Sequence, residues 1–236
     1  MNTNTDSPLQ VRDVHKSFAL HGERIDVLRG ADLSLAAGKV TALVGRSGSG
    51  KTTLLQIAGL LAGADRGSVR ISGRDVHELS DNRRADLRRR SLGFVFQAFN
   101  LLPQHTAAKN VALPHLGGGR DAARRAHELL GRVGLGARAG HRPGELSAGE
   151  QQRVAVARAL VNDPVVVLAD EPTGNLDADS EAAVLALFRE IARDGRGVLL
   201  VTHSEAVCRS ADVVIRMSDG VTVPDVLLDS GAGVQR

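Results

Sequence analysis

VTALVGRSGSGKTTLL, residues 40–55, passes from a short apolar, β-branched run through a glycine-rich loop into an apolar helix start, which reads as strand, anion-binding loop and helix. Gly45, Gly48 and Gly50 free the backbone for positive φ, so that successive N–H groups converge at a helix N-terminus whose dipole favours anions. Arg46, Ser47 and Ser49 fill the loop, and Thr53 follows in the first helical turn. Lys51 sets a point charge for the β- and γ-phosphates of a nucleotide, and the Thr52 hydroxyl suits a Mg²⁺ ligand beside it. A plain glycine turn is the alternative. The complete G-x-x-x-x-G-K-T spacing with both flanking elements sets it aside, and the loop is read as a nucleoside-triphosphate site.

The rest of the chain must build a scaffold for that loop. Its 236 residues suit one large α/β domain or two small ones, and 42% hydrophobic with 24% charged residues is ordinary for a globular protein. No apolar run approaches the ~20 residues that cross a bilayer, and MNTNTDSPLQ has neither a basic start nor an apolar signal core, so a cytosolic chain is expected. Cys208 is the single cysteine, which excludes an internal disulfide, and it reads as a small buried hydrophobe. Thirty basic against 27 acidic residues is a slight excess, and with no Trp, no Tyr and five Phe there are few platforms for stacked bases. No nucleic-acid partner is expected. The densest basic stretch, Arg83, Arg84, Arg88, Arg89 and Arg90, reads as a solvated face near Asp81 and Asp86, with contact to acidic lipid or a partner as the alternative.

Taken in order, residues 9–35 hold short alternating stretches broken by glycine turns, which predicts antiparallel strands. Phe18 is the one aromatic before the loop; it could stack on a nucleotide base or simply join the core. A helix is predicted over 51–61, a strand over 67–73, a polar helix-like region over 75–90, and a buried strand over 92–96 that ends on Gln97. Residues 98–144 change character, with Pro103, Pro114, a loop at Gly117 to Gly119 and a helical pattern over 121–133. Ser147 with Glu150 three residues on predicts a capping box and a helix to Leu160, stopped by Asp163-Pro164. Residues 165–169 read as a strand buried on both faces, delivering Asp170 and Glu171 at its end. A helix over 180–192, a strand over 197–201 ending on Thr202-His203, a short helix and a strand over 212–216 complete alternating α/β units.

Five features converge: the loop, Gln97 after a strand, LSAGE at 146–150, VVVLADE at 165–171, and His203 after the next strand. A strand-terminal Asp170 suits Mg²⁺, directly or through water, and Glu171 suits a general base that polarises an attacking water. In this combination the chain closely resembles the ATP-binding cassette (ABC) ATPases over essentially its full length. The resemblance implies a P-loop NTPase fold: a RecA-like α/β core, an N-terminal antiparallel β-subdomain and an inserted α-helical subdomain at about 98–160, all one domain over 8–224 with flexible tails at 1–7 and 225–236. It assigns LSAGE to the signature motif, GNLD at 174–177 with Asp177 to the D-loop, Gln97 to the Q-loop and Mg²⁺ binding, His203 to the switch histidine, and Phe18 to base stacking. The cofactors implied are ATP and Mg²⁺. Two cassettes, expected as a homodimer, would face each other, each ATP lying between one loop and the Ser147, Ala148, Gly149 and Glu150 helix start of the other.

Ala148 departs from the family, which usually has glycine there; if the position needs positive φ, alanine would strain it by about 1 kcal/mol. FVFQAFNLLP at 94–103, HRPGELSAGE at 141–150 and LADEPTGNLD at 168–177 resemble the LolD-like and MacB-like cassettes. That branch implies an integral membrane permease partner, a place on the inner face of the plasma membrane, and export or extraction of lipoprotein, peptide or drug, with Phe99, Leu101 and Leu102 as candidate permease contacts or ordinary core. A soluble ABC-type ATPase acting on nucleic acid or the ribosome would carry long coiled coils or two cassettes. Here Lys51 and Ser147 lie 96 residues apart with no heptad array. A cassette that binds without hydrolysing is opposed by intact Lys51, Asp170, Glu171 and His203.

Overall fold

The computed structural model describes residues 7–20, 23–77 and 79–224. Among the described residues, ten strands form two sheets. Strands β1 (Leu9–Leu20), β2 (Glu23–Leu35), β4 (Arg66–Ile71) and β5 (Arg74–Asp75) make an antiparallel sheet in the order β2-β1-β4-β5. Strands β3 (Val40–Val44), β6 (Leu92–Phe96), β7 (Val166–Asp170), β8 (Gly197–Val201), β9 (Val213–Ser218) and β10 (Val221–Pro224) make the second, in the order β10-β9-β3-β8-β7-β6. Within it β9, β3, β8, β7 and β6 run parallel, and β10 turns back antiparallel on β9.

The parallel strands are apolar on both faces because both faces are covered. Val40, Ala42, Val167, Ala169, Val198 and Leu200 join one buried cluster, while Leu43, Val166, Leu168, Leu199 and Val201, alternating with them, join the other. The second cluster packs against the antiparallel sheet and helix α1 (Lys51–Ala58), which buries Leu54, Leu55, Ile57 and Ala58. Helix α2 (Asp81–Ser91) precedes β6 and buries none of its residues. The first cluster is covered by α3 (Ala107–Ala112), α4 (Gly119–Arg132), α5 (Ala148–Ala159), α6 (Ala178–Arg193) and α7 (Glu205–Ser210). Helix α4 shows why such a polar sequence is recruited: Ala122, Ala126, Leu129 and Leu130 fall on one face, and that face alone is buried.

Several boundaries differ from expectation. The first helix ends at Ala58 rather than residue 61, because the chain turns at Gly59 and Leu60 takes φ 57. The 75–90 region divides: Asp75 closes the two-residue strand β5, and Ser80 precedes a helix that starts only at Asp81. The last expected strand begins one residue later, since the Asp212 carboxylate is engaged in accepting from the Val40 N–H at 2.8 Å, and it continues to Ser218. Strand β10 was not foreseen. Ser7, placed in the tail, is buried and its hydroxyl donates to the Leu9 carbonyl at 2.8 Å; the other tail residues lie outside the described ones. Cys208 is half-buried at the rim of a core cluster rather than inside it. The α2 arginines are less free than a solvated face implies: Arg84 donates to Val76 and His77 carbonyls, Arg88 to the Leu60 carbonyl, and Arg90 pairs with Asp86.

Candidate functional site

The sheet register brings four loops to one edge. Leu43 of β3 pairs with Val201 of β8, Val201 with Asp170 of β7, and Asp170 with Phe96 of β6. The glycine loop, His203, the Asp170-Glu171 pair and Gln97 therefore leave the carboxyl ends of adjacent parallel strands, the side of an open α/β sheet where ligands sit.

In the glycine loop Gly45, Gly48 and Gly50 take φ of 156, 77 and 104°. Gly45 is required on steric grounds as well, because a Cβ there would come within 2.3 Å of the Met217 carbonyl oxygen. Lys51 opens α1, and its Nζ arches back to donate to the carbonyls of Gly45 at 2.8 Å and Arg46 at 3.0 Å. The Ser49 hydroxyl is buried with no partner among the described residues. A cleft of about 600 Å³ opens over residues 45–49, walled by Ile25 and Val27 of β2 and by the turn from Met217 to Gly220. That volume is of the size small-molecule sites have. A nest of N–H groups, an unpaired hydroxyl and a lysine, in a loop with no carboxylate between residues 45 and 53, fits a polyphosphate, while Asp26 and Asp219 line other parts of the cleft. Phe18 is not core: it is 45% exposed, pairs across the hairpin with Ile25 of the cleft wall, and has Lys16 Nζ 5.5 Å from its ring centroid.

Beside the cleft, burial pushes the Asp170 carboxyl above the usual range, the Thr52 hydroxyl bonded to it pulls back down, the neighbouring Glu171 pushes up, and Lys51 opposes it. Thr52 and Asp170, from opposite ends of the sequence, thus meet as a ligand pair would. Glu171 stands at φ 45°, a strained setting for a non-glycine residue, held by its N–H to the Val201 carbonyl at 2.9 Å. Its Oε1 lies 2.8 Å from His203 Nδ1. An acceptor carboxylate there places the proton on Nδ1 and turns the other ring nitrogen toward solvent, the His203 side chain being 75% exposed. Gln97 is also exposed; its side chain lies against Gly174, and its carbonyl accepts from Asn175 Nδ2 at 3.4 Å.

The signature segment stands apart. Ser147 caps α5, its hydroxyl accepting from the Glu150 N–H at 3.2 Å while Glu150 Oε2 accepts from the Ser147 N–H at 2.8 Å. The capped hydroxyl keeps its own proton to donate, and Ser147 and Ala148 are exposed. Ala148 is the first helical residue and is not among the residues of positive φ, so the strain raised by the sequence does not arise. Gly149 is the demanding position, since a Cβ there would meet Ser180 Oγ at 2.4 Å. Asp177 caps α6, accepting from the Ser180 N–H at 2.8 Å and from its hydroxyl at 3.1 Å, so the starts of α5 and α6 are packed together. Among the described residues, neither the cleft wall nor any lysine contact includes residues 147–150 or 177. Within one chain the loop, Gln97, Asp170, Glu171 and His203 come together, and the signature does not join them.

Sequence reasoning missed the Met217–Gly220 floor of the cleft, for which no local signal exists. It also missed Arg158, whose guanidinium donates to the carbonyls of Phe99 and Asn100 and holds these two positive-φ residues onto α5.

The ABC transporter family pattern matches residues 28–174, from β2 through the cleft loop and the signature to the start of GNLD. The chain belongs to the ABC transporter family. The cassette is an ATP-binding, ATP-hydrolysing protein of that family. The lipoprotein-releasing system ATP-binding protein LolD of Novosphingobium aromaticivorans is 48% identical over 221 residues, covering 92% of the cassette and 99% of that protein. The macrolide export ATP-binding/permease protein MacB of Chlorobium luteolum is 45% identical over 219 residues, 92% of the cassette but 33% of MacB. Among solved structures, an ATP-binding cassette in a dimeric post-hydrolysis state bound to ADP and Pi is 37% identical with a TM-score of 0.82, covering 90% of this chain and 95% of that one. Among the described residues no helix is long and apolar enough to cross a membrane.

Proposed function

We propose that the cassette is the energy-coupling subunit of a LolD- or MacB-like transporter: it hydrolyses Mg·ATP at the cleft edge and drives a partner permease in the inner membrane by closing and reopening as a homodimer. The observation that carries this reading is the grouping of Lys51, Asp170, Glu171 and His203 on one sheet edge, with the open start of α5 held away from it. The loop N–H groups and Lys51 bind the β- and γ-phosphates, and Phe18 offers its exposed face to the base. Thr52 and Asp170, with Gln97 from the neighbouring strand end, would hold Mg²⁺, which would supply charge neutralisation at the transferring phosphoryl group. Glu171 accepts the proton of the attacking water, and His203, donating from Nδ1, holds the carboxylate in place. Ser147 and the first N–H groups of α5 complete the site from the second copy. A cytoplasmic permease helix seats in the cleft of about 360 Å³ that reaches Phe96, where Leu61, Phe94 and Pro114 offer apolar surface and Arg88, Arg89 and Arg158 a basic rim. Phe99, Leu101 and Leu102 are half-buried in the loop that follows Phe96, and Leu101 packs on the core.

Glu171→Gln keeps the shape of the side chain and loses the base. Hydrolysis should fall by about 10²-fold or more, and size-exclusion chromatography in Mg·ATP should show the variant as a dimer that wild type forms only transiently. Wild type and variant hydrolysing equally would overturn the base assignment. A variant that stays monomeric at saturating ATP would overturn the clamp.

A further inference from the structure

The first turn of α5 carries a charge of the wrong sign for its proposed task. Glu150 is the third helical residue, one turn from the point where a phosphate of the second cassette's nucleotide would approach. Glutamine would make the same reciprocal bond to Ser147 without a charge. The glutamate is ionised: the Ser147 N–H, above all, holds its carboxyl below the usual range, with smaller help from Arg138 and Arg153. A fixed negative charge beside an anion site weakens it unless something offsets that charge.

Arg138 stands where that offset is needed. Its Nε lies 3.8 Å from Glu150 Oε1, the oxygen that Ser147 does not use. The residue ends the short 3₁₀ turn Gly136–Arg138, and the chain just beyond is pinned: the carbonyls of Ala139 and His141 accept from the N–H groups of Ala108 and Ala107 in the first turn of α3, at 2.9 and 2.7 Å. A further NH1 contact to His141 Nε2 at 3.1 Å keeps the guanidinium turned toward α5. The segment that carries Arg138 is therefore tied to α3, while the charge it meets belongs to α5.

We infer that Arg138 is a positioning residue for the nucleotide clamp: it neutralises Glu150 and keeps its carboxylate on the Ser147 N–H, so that the start of α5 presents a net positive field to the phosphate of the opposing cassette. The inference rests on the proposed clamp. It sets Arg138 apart from the groups that touch nucleotide, since Arg138 acts only through Glu150.

The test uses the full chain in the Glu171→Gln background, where ATP-dependent dimers accumulate, and reads the Mg·ATP concentration that gives half-maximal dimer. Arg138→Ala should raise that concentration about fivefold, the scale of one exposed ion pair, and Arg138→Lys should restore most of it. With Glu150→Gln also present, Arg138→Ala should change it by less than about twofold, and the fivefold effect should shrink at high salt. Arg138→Gln serves as the charge-free variant closest in size, and thermal melting of each variant reports its fold. An equal loss with Glu or Gln at position 150 would overturn the inference, as would no loss with Glu150. If the Glu171→Gln chain never dimerises in ATP, the clamp itself falls and the inference falls with it; a dimer that forms but ignores Arg138 sinks the inference alone.

Discussion

Gly149 and Ala148 stand side by side at the start of α5 and obey different rules. The family comparison draws attention to alanine at 148, yet that residue has ordinary helical backbone with its side chain in solvent. Gly149 is buried, and its missing side chain is what lets α5 close on Ser180 of α6. Gly149→Ala should therefore destabilise the protein by about 1–3 kcal/mol despite the higher helix propensity of alanine, because the two helix starts must move apart. Ala148→Gly should change stability by about 1 kcal/mol or less. Thermal unfolding of the two variants decides the matter, and a stabilised Gly149→Ala would show that the Ser180 contact yields freely. The same contrast explains what was legible. The cleft loop, Asp170, Glu171 and His203 could be read because each is announced within a few residues by its own strand end or glycine spacing. Met217 could not, since its carbonyl meets Gly45 across most of the chain length. Nor could the pairing of Arg138 with Glu150, which depends on how a 3₁₀ turn docks on α3.

Among the elements, long apolar strands and amphipathic helices were legible, and short polar pieces were not. Strand β5 has two residues and leaves no period, and α2, expected as a polar helix-like stretch over 75–90, buries nothing that would mark its start at Asp81; both are set by neighbours such as β4 and by arginines that bind carbonyls. The start of β4 is fixed in the same indirect way. Asp65 Oδ2 accepts from the Ser17 N–H at 2.7 Å and its hydroxyl at 2.8 Å, Oδ1 accepts from Lys16 Nζ at 2.9 Å, and the Asp65 N–H donates to the His15 carbonyl. Lys16 first, then the Ser17 groups, hold this carboxyl far below its ordinary value. A depressed folded-state pKa stabilises fully above the unfolded value near pH 4 and loses that contribution as pH falls through the folded value. Asp65→Asn should therefore melt below wild type at neutral pH, with the gap narrowing as pH drops under about 4. A gap independent of pH between 7 and 3 would mean that the join depends on shape and not on charge.

For the whole molecule, the two-faced core accounts for what no single element shows. One sheet buries α1 and the antiparallel sheet on one side and α3 to α7 on the other, so the cleft loop and the signature helix belong to opposite layers of one body. Within this fold a single chain keeps them apart. That is why the signature reads clearly as sequence and yet looks idle in the monomer, and why a second copy is the natural completion of the site. The core is also built without Trp or Tyr, and Phe18 lies exposed across the hairpin from Ile25 of the cleft wall, with Lys16 above the ring. The protein is consequently almost dark in the near ultraviolet, and Phe18→Trp would install a lone fluorophore against a silent background. Its emission should change on adding Mg·ATP and much less with Mg·triphosphate, which lacks a base, turning an exposed ring into an optical gauge of nucleotide occupancy. An equal response to both would place Phe18 away from the base.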